Sequence, residues 1–485
     1  MTPGVRRTVV AAVVLALAAP LVALAATRGA GSSAAPPSFK RDVAPIIQEK
    51  CAGCHRTGGI APFPLETARQ ASSRAGLIAA AVQARAMPPW PPGNRSPAYV
   101  GEEQRKLSAR ERATLLAWAR AGGRTDGPAR PALPQGTIQV APGESVLRLQ
   151  MPTAYRPRAA KGVTDDYRCF LLDPKLRGDV SVTSARVDPG QPKVVHHVIL
   201  FQAVKGQVPE AKRLDAASPG QGWSCFGGTG LSLGTTAGGI QDALNDANWV
   251  AAWAPGFGGG RLPKGTGIPL AAGTQIVMQV HYNLLNGRAP DRSRAVLTTA
   301  PASANLKPMR TLLLPAPVEL GCAKGEQGRL CNRNEALFEL SSKYGPEAAF
   351  VPAGLLILCR GNASTPRPSP VSTCDRRLTQ PTTIRVAAGH MHLLGASFRL
   401  ELNPGTQRAR VLLDIPRWDF HWQNAYQLKR PVQAKAGDVV RVTCRFDVHK
   451  RMRGQHGIPK TPRYLLWGEG TTDEMCLGIL QVTRG

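Results

Sequence analysis

Short apolar runs separated by glycine- and proline-rich segments make up most of the chain. Residues 194–201 read Val-Val-His-His-Val-Ile-Leu-Phe, and residues 277–282 form a second run of the same kind. Short runs rich in β-branched residues are typical of strands. Since the chain also holds 50 glycines and 42 prolines, the pattern favours many short strands and turns over long helices.

One N-terminal segment has a helical pattern instead. Ser108 and Glu111 form an S-x-x-E capping box, apolar residues follow at helical spacing, and Gly122 and Gly123 end the run. The pattern predicts a helix that closes a small all-α domain over residues 38–125. Residues 126–145, rich in proline, glycine and alanine, read as a linker.

The first residues predict export. Arg6 and Arg7 precede an apolar run over 9–26, and residues 23–25 offer a small-x-small cleavage site. Residues 1–26 therefore read as a secretory signal peptide, with an uncleaved membrane anchor as the alternative. We expect a periplasmic or secreted protein.

Cysteine usage agrees with export. Of the ten cysteines, eight lie outside the motif at 51–55 and are spread along the chain. An even number of cysteines in an oxidising compartment predicts disulfide bonds, but their spacing does not assign the pairs.

The formal charge of +29 does not predict nucleic-acid binding. Lysine and arginine are scattered, and the densest cluster, at residues 450–453, is short. A basic solvated surface accounts for this composition, and such a surface also suits anionic lipid or an acidic redox partner.

The motif Cys51-Ala52-Gly53-Cys54-His55 has the C-x-x-C-H spacing that attaches c-type haem. Cys51 and Cys54 would bond the haem covalently, and His55 would be the proximal iron ligand. Met87, in the proline-rich stretch 86–92, is the candidate for the sixth ligand, with a packing role as the alternative. Residues 38–125 therefore resemble a small class I cytochrome c.

Two groups of histidines suggest metal sites. His196 and His197 need a bulge or a strand end to share one metal, and His281 is a candidate third ligand. Three imidazoles suit copper or zinc, and buried core histidines are the alternative reading. His390 and His392 would lie on one face of a strand, where Met475 is a possible third ligand that favours copper.

Residues 145–485 resemble the copper type II, ascorbate-dependent monooxygenases. The resemblance rests on seven stretches that follow the family order: 196–197, 222–228, 252–256, 262–267, 279–282, 390–395 and 473–476. It implies two antiparallel jelly-roll β-sandwich domains, over 146–305 and 306–485, each of which holds one copper ion. The predicted fold is thus mainly β with a small cytochrome c domain in front.

The resemblance also implies roles for individual residues. His196, His197 and His281 match the site that stores and passes an electron, while His390, His392 and Met475 match the site that activates oxygen. It further implies the disulfides Cys169–Cys225 and Cys444–Cys476. Cys322, Cys331, Cys359 and Cys374 remain unassigned, and His421, His449 and His456 match no ligand. We expect His421 in a core and the other two in an exposed loop.

Three positions depart from the peptidylglycine-hydroxylating members of this family. Those members hold their substrate with an arginine, an asparagine and a tyrosine, where this chain has Ala388, Leu477 and Ile479. A peptidylglycine substrate is therefore not expected, and the cleft is expected to accept a less polar molecule.

The implied reaction is hydroxylation of a C–H bond in a small organic substrate by O2. Two electrons are needed, from an ascorbate-like reductant or a redox protein. Since the haem module is covalently attached, we expect it to deliver electrons to the copper held by His196, His197 and His281. The alternatives are a non-catalytic copper and haem relay and a periplasmic copper-binding protein.

Overall fold

The computed structural model describes residues 35–57, 61–126, 139–159, 163–232, 244–254, 259–361, 366–454 and 457–484. The signal peptide predicted at 1–26 and most of the predicted linker lie outside the described residues. Within these ranges no helix is both long enough and apolar enough to cross a membrane.

Five α-helices and a π-helix, Phe39–Val43, form a small N-terminal body around Phe39, Ile47, Leu115 and Trp118. The predicted capping box exists, because the Ser108 hydroxyl accepts a hydrogen bond from the backbone N–H of Glu111 and the Glu111 carboxylate accepts one from that of Ser108. The helices are α1 Ala44–Lys50, α2 Ala68–Ser72, α3 Ala75–Gln83, α4 Glu102–Arg105 and α5 Ala109–Arg120.

Ten strands and one helix follow in a two-layer body, which we call the N-terminal β domain. Its two sheets share one core, since Leu297 from one layer and Met278 from the other belong to the same buried cluster. The elements are β1 Ser145–Gln150, β2 Asp165–Leu172, β3 Val180–Asp188, β4 Val195–Ala203, α6 Val208–Ala216, β5 Trp223–Ser224, β6 Trp249–Trp253, β7 Gly259–Arg261, β8 Thr266–Leu270, β9 Gln275–Asn283 and β10 Arg294–Pro301.

The remaining strands form the C-terminal β domain, again with two layers around one core. Its elements are β11 Lys307–Pro315, β12 Glu319–Leu320, α7 Arg333–Tyr344, α8 Pro346–Arg360, β13 Val371–Arg377, β14 Thr382–His390, β15 Gly395–Leu402, β16 Arg410–Ile415, β17 Ala425–Ala434, β18 Val439–Phe446, β19 Leu465–Leu466 and β20 Leu477–Arg484.

One sheet crosses the border between the two β domains. Its order is β1-β10-β3-β8-β11-β20-β14-β17, and β7 also pairs with β3. The crossing is a short parallel pairing of β8 with β11, in which Thr266 opposes Lys307. The other layers are β5-β2-β9-β4-β6 in the N-terminal β domain and β13-β18-β15-β16 in the C-terminal one.

The mainly β composition is confirmed, whereas the jelly-roll connectivity stays a prediction. The pairs Cys169–Cys225 and Cys444–Cys476 both form disulfides in the structure. The four cysteines without an assigned partner pair as Cys322–Cys331 and Cys359–Cys374. The sequence pattern did not anticipate helices α7 and α8, which are inserted before β13.

Candidate metal centres

Three histidines meet on the five-stranded sheet of the N-terminal β domain. His197 in β4 lies directly opposite His281 in β9, and the strand register shifts between Val195 and His197. This bulge is the feature that two adjacent histidines need if both are to reach one metal. His197 Nδ1 lies 3.4 Å from His196 Nδ1 and 3.4 Å from His281 Nδ1. Within the described ranges the three form a group with the spacing of metal ligands.

Asp165 orients the third histidine. Its Oδ1 lies 2.8 Å from His281 Nε2, so the imidazole donates from Nε2 and keeps Nδ1 as a free lone pair. Thr471 Oγ1 donates to the same oxygen at 2.6 Å. Burial acts to raise the pKa of Asp165, but the bonds from His281 and Thr471 outweigh it and hold the pKa below its ordinary value. The buried carboxylate is therefore ionised.

Tyr167 packs on the other side of His281. The two rings stack with centroids 4.0 Å apart, and the Tyr167 hydroxyl donates to the carbonyl of Glu469 at 2.5 Å. Since Thr471 and Glu469 lie in the C-terminal β domain, both contacts tie the three-histidine group to the segment that leads to Met475.

His390 and His392 form the second group. Their Nε2 atoms are 3.2 Å apart, which is close enough for both to bind one ion. His390 and His392 were expected on the same face of one strand. This is wrong in detail, because β14 ends at His390 and His392 lies in the irregular segment beyond it.

The opposite ring nitrogens of this pair are occupied. Gln423 Oε1 lies 2.5 Å from His390 Nδ1, and the carbonyl of Asp473 lies 3.1 Å from His392 Nδ1. Each imidazole therefore donates from Nδ1 and directs Nε2 to the shared position. Burial lowers the pKa of His390 to about 4 and that of His392 well below its ordinary range. Both rings are neutral at pH 7, the form that binds a metal.

Met475 is buried and lines the same cleft as His390. It lies between β19 and β20, so it comes from a loop and not from a strand. Its neighbour Cys476 is anchored to β18 by the disulfide with Cys444. On the other side, the Glu474 carboxylate accepts hydrogen bonds from the backbone N–H groups of His392 and Leu394, at 3.0 and 2.5 Å. The segments that carry the three candidate ligands are thus joined.

Both groups face one cleft of about 2200 Å³, which His196, His197, His390 and Met475 line. The ring of Phe420 contacts a histidine of each group. Phe420 stacks on His196 with centroids 4.9 Å apart and meets His392 edge-on at 6.0 Å. Burial lowers the pKa of His196 and His197 well below the ordinary value, so these rings are also neutral.

The cleft wall is apolar where the family resemblance would place polar substrate contacts. Ala388, Leu477 and Ile479 all line it, and helix α8 adds Phe350 and Ile357. Phe350 and Ile357 are 73% and 56% exposed. An apolar side chain exposed at a cleft suits an apolar part of a ligand.

The N-terminal helical body keeps its two motif cysteines as thiols. Cys51 and Cys54 are free, although the other eight cysteines all form disulfides. His55 is buried and its Nδ1 lies 3.0 Å from the carbonyl of Phe63, which leaves Nε2 for an iron ligand. Two unpaired thiols beside an oriented imidazole fit the covalent attachment of a haem. Met87 is partly exposed and remains the candidate sixth ligand.

Of the remaining histidines, the structure describes His421 and His449, and neither belongs to these groups. His421 is exposed and hydrogen-bonded to Asp419, so the expectation of a core position is wrong. The Trp418, Phe420 and Trp422 context suggested burial, but the turn at 419–422 directs this ring outward. His449 is exposed as expected, and His456 lies outside the described residues.

Sequence reasoning missed Asp165, Gln423 and Glu474. Each hydrogen-bonds a candidate ligand that is distant in the chain: Asp165 to His281, Gln423 to His390, and Glu474 to the backbone of His392. Glu474 is also the chain neighbour of Met475. The sequence signal for these three residues was weak. A polar residue beside a segment that carries a ligand can equally be an ordinary solvent-exposed residue. Only the pairing of β2 with β9 brings Asp165 to His281.

Replacing Gln423 by leucine is expected to weaken copper binding at the His390–His392 group by about 10–100-fold, since His390 loses its orienting partner. Competition with a copper chelator measures this affinity. Gln427→Leu is the matched control because Gln427 also lines the cleft. Equal affinities in the two variants would show that Gln423 does not orient the ligand.

Residues 371–481 match the family model described as copper type II ascorbate-dependent monooxygenase, C-terminal domain. The matched region contains His390, His392 and Met475. It supports a copper-dependent monooxygenase, in a family whose description names ascorbate as the reductant. No curated protein matches the chain.

Several solved structures share a distant likeness. The major capsid protein P2 from bacteriophage PM2 is 10% identical, with 70% of this chain and 97% of that chain covered and a TM-score of 0.22. VP2 of infectious bursal disease virus is 7% identical, with 73% and 74% covered and a TM-score of 0.15. The 11S globulin from Wrightia tinctoria is 10% identical, with 70% and 83% covered and a TM-score of 0.13. At such TM-scores these likenesses carry no argument.

Proposed function

We propose that this protein is an exported copper monooxygenase that hydroxylates a C–H bond of a small organic substrate with O2. The observation that carries the proposal is the pair of histidine groups on one cleft, each with its free ring nitrogens converging. The family match over residues 371–481, which includes one of these groups, supports the same conclusion.

His196, His197 and His281 would hold one copper ion through Nδ1, and His390, His392 and Met475 would hold the other. Copper with these ligands supplies one-electron redox chemistry at the first site and the activation of O2 at the second. Asp165 and Gln423 keep the ligating nitrogens oriented. Burial lowers the pKa of His196, His197, His390 and His392 and keeps these imidazoles neutral, so no proton has to leave them before a metal binds.

The cleft favours a substrate with an apolar part. Ala388, Leu477 and Ile479 offer a carboxylate no polar contact at these positions, which argues against the peptidylglycine class. They would accept a hydrocarbon or aromatic portion instead. The substrate is therefore proposed as a small organic molecule recognised mainly by apolar contact.

Electrons would come from an ascorbate-like reductant or from a redox protein. Cys51 and Cys54 would attach a c-type haem, with His55 and Met87 as the iron ligands. Such a haem supplies a one-electron relay within the same chain. The four disulfides suit an oxidising compartment and thus a periplasmic or secreted protein.

The deciding experiment follows oxygen uptake and product formation together. Copper-loaded protein, a reductant and a panel of apolar small molecules are incubated under labelled O2, and products are analysed by mass spectrometry. One labelled oxygen atom in the product, with matched O2 consumption, supports a monooxygenase.

Two other outcomes would replace this proposal. Oxidation and reduction of bound copper without product from any substrate would favour an electron relay. Reversible transfer of copper to an acceptor, again without product, would favour a copper-binding protein.

A further inference from the structure

One face of the C-terminal sheet carries His390 and forms a floor of the cleft. The strands lie side by side in the order β14, β20 and β11, and directly paired residues point to the same side of a sheet. His390 pairs with Leu477, which pairs with Pro315. The next outward-facing row repeats this order with three apolar residues. The apolar residues of the two rows, which we call the apolar floor, all line the cleft: Ala388, Leu477, Ile479, Leu313 and Pro315.

The residues that alternate with the apolar floor face the protein core. Leu312, Leu314 and Leu480 are nearly fully buried in the core of the C-terminal β domain, whereas Leu313 and Ile479 are partly exposed. Because successive side chains point to opposite faces of a strand, the apolar floor is the outer surface of this sheet. An outer surface that is apolar beside a candidate metal ligand suits an apolar part of a ligand.

The apolar floor runs across the strands more than along them. Adjacent strands lie about 4.8 Å apart, so β11 is about 10 Å from β14. Along the strands the floor ends at the following row, where Gln481 pairs with Thr311. The carbonyl of Thr311 accepts a hydrogen bond at 3.1 Å from the backbone N–H of Ala247, which belongs to the N-terminal β domain. The apolar surface that starts at His390 therefore leads toward β11.

Helix α8 stands at the far side of the apolar floor. The Sγ atom of Cys359, near the end of the helix, lies 3.7 Å from the carbonyl oxygen of Pro315 in β11. The disulfide between Cys359 and Cys374 fixes the same end to β13. Leu355 belongs to the core of the C-terminal β domain, which holds the middle of the helix in place.

The exposed side of α8 is apolar as well. Residues 348–358 contain no polar side chain, although a surface helix normally presents a polar face to water. Phe350 and Ile357 are exposed and both line the cleft. The helix precedes residues 371–481, so the family match does not account for this wall.

The opposite wall of the cleft also carries apolar residues, but it adjoins the three-histidine group. Ile199 follows His197 by two residues in β4, so both point to the same side of the strand, and both line the cleft. The group proposed to activate O2 contains His390 and not His197. A molecule that reacts at His390 has the apolar floor immediately beside it.

We propose that the substrate is an elongated molecule whose long uncharged hydrocarbon part lies across the apolar floor, from His390 to helix α8. This rests on the proposed function, because it takes the copper held by His390, His392 and Met475 as the place of reaction. A floor about 10 Å wide is filled by a long chain and left partly empty by a short one. Leu313 and Ile357, at the end remote from His390, would determine the preferred length.

The test measures the binding of linear primary alcohols to the full-length protein, with and without copper. Binding is followed by displacement of the apolar fluorescent probe Nile red. We expect the affinity to rise about three- to fourfold for each methylene group added to butanol, and to level off once the chain reaches α8. The same series is expected in copper-free protein, because the apolar floor contains no candidate metal ligand.

Three variants separate the apolar floor from the rest of the cleft. Leu313→Thr and Ile357→Gln make the far end polar while keeping residues suited to a strand and to a helix. Both are expected to lower the affinity for decanol about five- to tenfold and to leave that for butanol unchanged. A disturbance of general packing would instead affect both alcohols alike. Ile199→Thr is the matched control, since it makes the same kind of change on the opposite wall, and it should leave the series unchanged.

Two results would overturn the inference. The first is equal affinity for butanol and decanol in the wild-type protein. The second is a loss of the length series in Ile199→Thr that neither Leu313→Thr nor Ile357→Gln shows, which would place the chain on the opposite wall. Oxygen uptake and product formation with the same alcohols are followed separately. A length series without any product would refute the proposed function and leave the apolar floor as a binding site for hydrocarbon chains.

Discussion

Replacing His390 by alanine is expected to remove one of two bound coppers and to abolish product formation. His390 Nε2 lies 3.2 Å from His392 Nε2, so the substitution leaves one imidazole and one thioether at the site. Such a two-ligand site binds copper much more weakly. Copper per chain is measured by inductively coupled plasma mass spectrometry, alongside O2 uptake.

His421→Ala is the matched control. His421 lies two residues before Gln423, which lines the cleft, and it contacts Phe420. Its ring, however, is exposed and hydrogen-bonded to Asp419. The variant should retain both coppers and full O2 uptake. If His390→Ala also retained both coppers, the assignment of the second site would be wrong.

Replacing Asp165 by alanine is expected to weaken copper binding at the three-histidine site by about 10–100-fold. The carboxylate holds His281 Nε2 at 2.8 Å and accepts from Thr471 at 2.6 Å. Its loss leaves three buried donors without this acceptor, namely His281 Nε2 and the backbone N–H and hydroxyl of Thr471, at a cost of about 1–3 kcal/mol each in the free energy of unfolding. Copper affinity by chelator competition and urea unfolding measure the two effects.

Two further variants show which contact matters. Asp166→Asn changes the neighbouring carboxylate, which accepts from Tyr155 and the backbone of Arg158. It should leave copper affinity unchanged. Thr471→Val removes the hydrogen bond from the Thr471 hydroxyl to Asp165 but keeps Asp165 on His281, so it should affect stability more than copper affinity. Wild-type copper affinity in Asp165→Ala would contradict the orienting role.

The candidate histidine ligands could be proposed from sequence because they lie in or beside short apolar runs, whereas Met475 was singled out by the family resemblance. The adjacent pair His196-His197 needed a bulge or a strand end to share one metal, and β4 contains a bulge there. The positions that were not predictable depend on long-range pairing. Asp165 reaches His281 only because β2 lies beside β9, and Gln423 reaches His390 only because the loop before β17 folds back over β14.

Local sequence context was also misleading in two places. Aromatic neighbours suggested a buried His421, yet a tight turn exposes it. Glycine and proline content suggested few helices, and helices α7 and α8 were therefore missed, although Asn332 provides an N-cap whose side chain accepts from the backbone of Asn334 and Glu335. The capping rule that identified α5 would have indicated the start of α7.

The bond between Thr471 and Asp165 would couple the two candidate metal sites once both bind copper. Asp165 orients a ligand of one site, and Thr471 lies in the segment that carries Met475 to the other. A metal that orders His281 and Asp165 therefore also restricts this segment, and the ordering cost for the second ion falls. By reciprocity the second ion must favour the first by the same factor. Chains with one occupied site would then be rarer, at a given copper concentration, than independent binding of the two ions predicts.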